Sequence, residues 1–126
     1  MFARSPEEAV HMLDQAFHDR DVEVILSFYE DAAVVVMEPG KAARGKEELR
    51  SFFVRAVNAG SAATQLRTHG MEADGVALFL SRWKLRERNG DASRRFVATS
   101  VFRRQPDGSW RALIDNSVGP LVLGPE

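Results

Sequence analysis

The chain has 126 residues, 44% hydrophobic and 28% charged, which is ordinary for a soluble globular protein and enough for one buried core but not two. With 17 basic and 18 acidic side chains the formal charge is -1, so no field steers a polyanion and nucleic acid is not an expected partner. Cysteine is absent, which excludes disulfides, thiolate metal sites and a Cys nucleophile.

The opening "MFARSPEEAV" lacks the apolar run of a signal peptide, and nothing later approaches the roughly 18 apolar residues of a membrane span. A single cytoplasmic domain over residues 1–126 is expected, with no membrane partner and only "PLVLGPE" reading as a tail.

In "SPEEAVHMLDQAFHDRD", Ser5 is placed as an N-cap, Pro6 as the first helical residue and Glu8 as the reciprocal arm of a capping box. Val10, Leu13 and Phe17 recur at helical spacing, which predicts a helix to about His18. Asp21 caps a shorter second helix with Val24, Ile25, Phe28 and Tyr29 as its stripe. "AAVVVM", residues 32–37, is a β-branched run halted by Pro39 and Gly40, hence a strand entering a turn. After Gly45, acids fill the first turn of a third helix whose apolar face is Leu49, Phe52, Phe53 and Val57, with Gly60 just past its end.

Beyond residue 63 the period falls to two. Strands are predicted over about 64–73, 76–87, 94–104 and 109–118, joined by Asp74-Gly75, Asn89-Gly90-Asp91 and Pro106-Asp107-Gly108. These are strong turn sequences, so consecutive strands form antiparallel hairpins. In the second of them Ala77, Phe79, Ser81, Trp83 and Leu85 share a face turned toward the helices, and Arg82, Lys84 and Arg86 share the other. In the last, Trp110, Ala112 and Ile114 alternate inward and carry the same phase to Asn116. Asp115 has the opposite phase.

The order and spacing of "EEAVHMLDQAFHDRDVEVILSFYEDAAVVVMEPG", "RGKEELRSFF" and "VFRRQPDGSWRALIDNS" resemble the nuclear transport factor 2-like superfamily, in its SnoaL-like and ketosteroid isomerase-like branches. The resemblance spans nearly the whole chain. It implies an α+β, cone-shaped barrel: a curved, antiparallel-rich sheet wrapped around three helices of the N-terminal half, a cystatin-like roll. It also implies a pocket at the wide end and homodimers, here through the outer sheet surface. Asn116 is then either a polar wall of that pocket or a strand-end residue that is wet or bonded to a neighbouring loop, and both readings stand.

The isomerase mechanism that the resemblance implies needs a carboxylate base and two acidic donors for the enolate oxygen. Glu38-Pro39 resembles the pair that carries the base, which makes Glu38 the candidate catalytic residue; an exposed Glu beside a turn explains it equally well. Leu13 stands where the donor Tyr belongs and Ser100 where the protonated Asp belongs. Losing one such donor costs several kcal/mol of transition-state stabilisation, so steroid isomerisation by that route is disfavoured. Asn116 also replaces a His common in relatives, which removes a proton-transfer group.

His11 and His18 form a polar helix stripe with Asp14. His69 sits mid-strand, where "QLRTHGM" fits either phase; the outward or interface position is favoured. No metal site is expected from three dispersed histidines, and no cofactor, since no phosphate-cradling glycine loop occurs. The basic face of Arg82, Lys84, Arg86 and Arg88 serves solubility and edge protection.

Two functions follow. One is an isomerase, cyclase or lyase-like enzyme on a small hydrophobic or polar-aromatic, carbonyl-bearing ligand, with Glu38 as base and Tyr29, Trp83, Ser100, Phe102, Ile114 and Asn116 lining the pocket. The other is a noncatalytic ligand-binding or dimerisation domain. Burial of Glu38 distinguishes them: an apolar setting favours the enzyme, a solvent-facing one the binder.

Overall fold

The computed structural model describes residues 2–60, 62–86 and 93–125. The predicted hairpin joint at Asn89-Gly90-Asp91, and Arg88 of the basic face, lie outside the described residues.

Helix α1 (Pro6–His18) starts where the capping residues place it: the Ser5 hydroxyl accepts the Glu8 amide at 3.1 Å. The Glu8 carboxylate accepts the Arg4 amide at 3.3 Å, one residue upstream of the box expected. Helix α2 (Val22–Ser27) is capped by Asp21, whose carboxylate accepts the Val24 amide at 3.2 Å. It ends before Tyr29, which the sequence placed on its stripe. The Phe28 carbonyl accepts the Ala112 amide instead, and Tyr29 opens strand β1 (Tyr29–Glu38), three residues earlier than predicted. A short strand β2 (Lys41–Arg44), which the sequence reading lacks, follows the Pro39-Gly40 turn and leads into α3 (Gly45–Asn58).

Strands β3 (Ala62–Ala73), β4 (Val76–Arg86), β5 (Ser93–Arg104) and β6 (Trp110–Asn116) pair antiparallel in succession, as their turns require. The parallel pairing of β6 with β1 then completes one six-stranded sheet in the order β2-β1-β6-β5-β4-β3. The result is α+β, three helices on a curled, mostly antiparallel sheet. "PLVLGPE" is not wholly a tail: Gly119–Leu123 forms a 3-10 turn, with Gly119 at φ +53° packed so closely on Val97 that no side chain fits there.

The sheet's inner face meets the helices as predicted. Ala77, Phe79, Ser81 and Trp83 are buried and Leu85 is half-buried, whereas Arg82 and Arg86 are exposed. Phe53 of α3 lies at the centre, its ring 5.6 Å from Phe17, 5.0 Å from Tyr29 and 5.5 Å from Phe52. Gly70 on β3 is required by this packing, since a Cβ there would stand 2.7 Å from the Phe79 ring. Among the described residues no helix is long and apolar enough to cross a membrane.

Candidate functional site

A single extra residue decides which side chains of β6 face inward. Val101 is opposite Ile114 and Phe102 is opposite Ala112, so Leu113 has no partner on β5. One inserted residue reverses the phase of everything after it. Trp110 and Ala112 point into the core as predicted, but beyond the bulge Asp115 and Ser117 take the inner face. The expected inward phase of Ile114 and Asn116 does not hold: Ile114 is 43% exposed on the outer face. Asn116 ties off the chain end locally, donating to the Gly119 carbonyl at 3.1 Å and accepting the Val118 amide at 3.3 Å.

The bulge sets Asp115 opposite Ser100 and within reach of Tyr29. The Tyr29 hydroxyl donates to Asp115 Oδ2 at 2.6 Å and the Ser100 hydroxyl to Oδ1 at 3.0 Å, so both carboxylate oxygens are satisfied inside the core. Burial pushes the Asp115 carboxyl above its ordinary value, against the opposing pull of the Tyr29 and Ser100 hydrogen bonds. Burial, and secondly the Asp115 charge, holds the Tyr29 phenol well above its own, so Tyr29 remains a proton donor. Two of the residues nominated from sequence, Tyr29 and Ser100, are thus joined by Asp115, for which simple alternation from Trp110 predicts the opposite face.

Trp83 and Phe102 are buried beside this network but have structural partners. The Trp83 indole donates to the Ser117 carbonyl at 2.9 Å and stacks on Phe96 at 4.8 Å, and Phe102 meets Phe79 edge-on at 6.0 Å. The cavity that touches Tyr29 measures about 20 Å3, room for about one water.

Glu38 lies apart from them. At the end of β1 its side chain is 60% exposed and its Oε1 stands 3.0 Å from Lys41 Nζ. It borders a groove of about 620 Å3 between β2 and α3. His69 is exposed opposite the outward-facing Leu80, because the β3–β4 register shifts between Gln65 and Arg67. Among the described residues no cluster of three or more His, Asp or Glu could hold a metal ion.

The model of the SnoaL-like domain family matches residues 9–113. No curated protein sequence matches the chain significantly. Among solved structures, an NTF2-like protein of unknown function from Pseudomonas putida KT2440 is similar with TM-score 0.78 and 18% identity, over 90% of this chain and 83% of its own. A candidate calcium/calmodulin-dependent protein kinase type II association domain from Thiobacillus denitrificans gives 0.77 and 18% over 94% and 97%. A candidate ketosteroid isomerase from Shewanella frigidimarina gives 0.75 and 17% over 86% and 89%. At these identities the likeness is one of fold.

Proposed function

This chain belongs to the SnoaL-like domain family, and from that premise we propose that it is a noncatalytic association domain that pairs with a second copy through the outer face of its sheet. The observation that carries this reading is a cross-strand row of apolar side chains, Met71, Leu78, Val101 and Ile114, each opposite the next on β3, β4, β5 and β6. Met71, Leu78 and Ile114 are between 43% and 48% exposed, and Val76 and Val97 extend the patch. A contiguous apolar patch of this kind marks an interaction surface. The outer sheet face offers the same row to its own twofold mate, as an isologous interface requires.

The acid-base groups support the same reading. Glu38 faces solvent beside Lys41, and Asp115, Tyr29 and Ser100 satisfy one another inside the core. The candidate association domain from Thiobacillus denitrificans uses the same fold.

Light scattering coupled to gel filtration tests the pairing. The parent chain is expected to elute as a dimer, and Leu78→Arg to weaken association by about 100-fold or more, the effect of losing a central apolar anchor. Unchanged circular dichroism would show that the variant still folds. A parent chain that is monomeric at tens of micromolar sinks this reading.

One observation favours a second reading, in which the interior opens to a small apolar carbonyl ligand: Asp115 is a buried carboxyl whose proton is retained more strongly than usual and which lies against a phenol. An enzyme of isomerase or dehydratase type would use it for proton transfer. Incubation with a β,γ-unsaturated ketone, followed by the absorbance of the conjugated product, separates the two. The association reading expects no turnover above buffer. Turnover that falls 100-fold or more in Asp115→Asn, the usual size of a lost general acid or base, would replace it.

A further inference from the structure

The groove between β2 and α3 is built differently from the rest of the surface. Strand β2 is an edge of the sheet. Its Arg44 amide points away from β1, because it donates to Glu48 Oε1 at 3.0 Å. Successive residues alternate along a strand, so the amide and carbonyl of Ala42, two residues back and exposed, point the same way, toward the groove. An exposed strand edge with open peptide groups is a template for a further strand.

The opposite wall is one face of α3, with Glu47, Ser51, Phe52 and Arg55 at helical spacing. Phe52 is half-buried and supplies an apolar floor with the buried Ala43. The Glu47 and Arg55 side chains make no hydrogen bond or ion pair with another described residue. Their opposite charges therefore stand free at the two ends of the wall. Eight residues of helix separate them by about 12 Å, the length of about four residues of extended chain at roughly 3.3 Å each.

The helix begins immediately after β2, and residues from both its first and third turns border the groove together with Gly40 to Ala43. Glu47 thus lies at the Arg44 end of the strand and Arg55 toward the Gly40 end. A peptide running antiparallel to β2 has its N-terminal side at Glu47 and its C-terminal side at Arg55.

We infer that this groove binds the C-terminal end of an extended peptide, added as a strand to β2 through Ala42, with the terminal carboxylate on Arg55 and a basic residue three positions earlier on Glu47. Main-chain pairing supplies affinity in such sites and the flanking side chains supply specificity. Arg suits the carboxylate because its planar fork bonds both oxygens. The site is independent of the proposed pairing surface, which lies on β3 to β6.

Fluorescence anisotropy with an N-terminally fluorescein-labelled Gly-Gly-Lys-Thr-Val-Val peptide tests it. The free acid is expected to bind saturably, and its C-terminal amide at least tenfold more weakly. Arg55→Glu should abolish that discrimination, Glu47→Lys should reverse the preference for Lys over Glu in the peptide, and Ala42→Pro should remove binding. All three positions are exposed, and a thermal melt confirms that each variant folds. Equal binding of acid and amide, or no binding of either up to about 1 mM, overturns the inference.

Discussion

Phe53→Ala is expected to lower stability by about 3–5 kcal/mol, the cost of emptying a buried aromatic site that its surroundings cannot close. Phe53 is fully buried and touches three other rings that belong to different elements: Phe17 on α1, Tyr29 on β1 and Phe52 on α3 itself. The cavity would open where two helices and the sheet converge, so collapse would require whole elements to move. Against a total of about 5–15 kcal/mol for a domain, this is a large fraction. Urea unfolding should show a lower midpoint with an unchanged slope. A loss below about 1.5 kcal/mol would mean that the helices pack on the sheet less tightly than these ring distances imply.

The parts legible in the sequence are those with a local cause. Ser5 and Asp21 state where α1 and α2 begin, because each side chain accepts a helix-end amide, and Pro6 marks the first turn of α1, where its missing N–H leaves no unpaired donor. Asp74-Gly75 adopts φ +53° and +76°, the left-handed pair that a tight hairpin demands. Gly108 at φ +87° closes the last hairpin for the same reason. The order of these elements carried the family resemblance, and the SnoaL-like match and the mixed sheet agree with it.

The parts that were not legible depend on contacts between distant segments. Strand β2 is four residues long, and only its pairing with β1 makes it a strand. Tyr29 joins β1 because β6 offers it a parallel partner at Ala112. In "WRALIDNS" the adjacent Leu113 and Ile114 fit either phase, so alternation counted from Trp110 puts Asn116 inside, whereas alternation counted from the bulge puts Asp115 there. The buried serine at position 100 is the signal that decides between them: a hydroxyl on the inner face of β5 calls for a partner, and the carboxylate opposite it supplies one. His69, for which the outward position is favoured from sequence, does face outward, although the register shift between Gln65 and Arg67 breaks the alternation that links it to Gln65.

Asp115 gives the second large effect, and its sign follows from linkage. Its folded pKa is raised above the ordinary 3.8, first by burial and against the two hydrogen bonds. A raised acid contributes stability that is fully present below the unfolded value and is lost as pH rises through the folded one. The parent chain should therefore lose stability relative to Asp115→Asn, which cannot titrate, as pH climbs from below about 3.8 upward. Comparing parent and variant at each pH cancels the opposite trend from Glu23, Glu30 and Asp107, whose values are lowered by hydrogen bonds from Arg50, Arg103 and Ser109.

Tyr29→Phe isolates the other half of the network. It keeps the ring against Phe53 but leaves Asp115 Oδ2 buried without a donor, at a cost of about 1–3 kcal/mol once the carboxyl ionises. That cost should shrink in acid, where the carboxyl is uncharged and its protonated oxygen needs one donor fewer. In alkali the raised Tyr29 value adds a second loss of parent stability above pH 10, where the unfolded phenol ionises and the folded one does not. Chemical denaturation from pH 3 to 11 reads both windows; a penalty for Tyr29→Phe that stays flat through the acid window would show that Asp115 does not change its ionisation there in the folded chain.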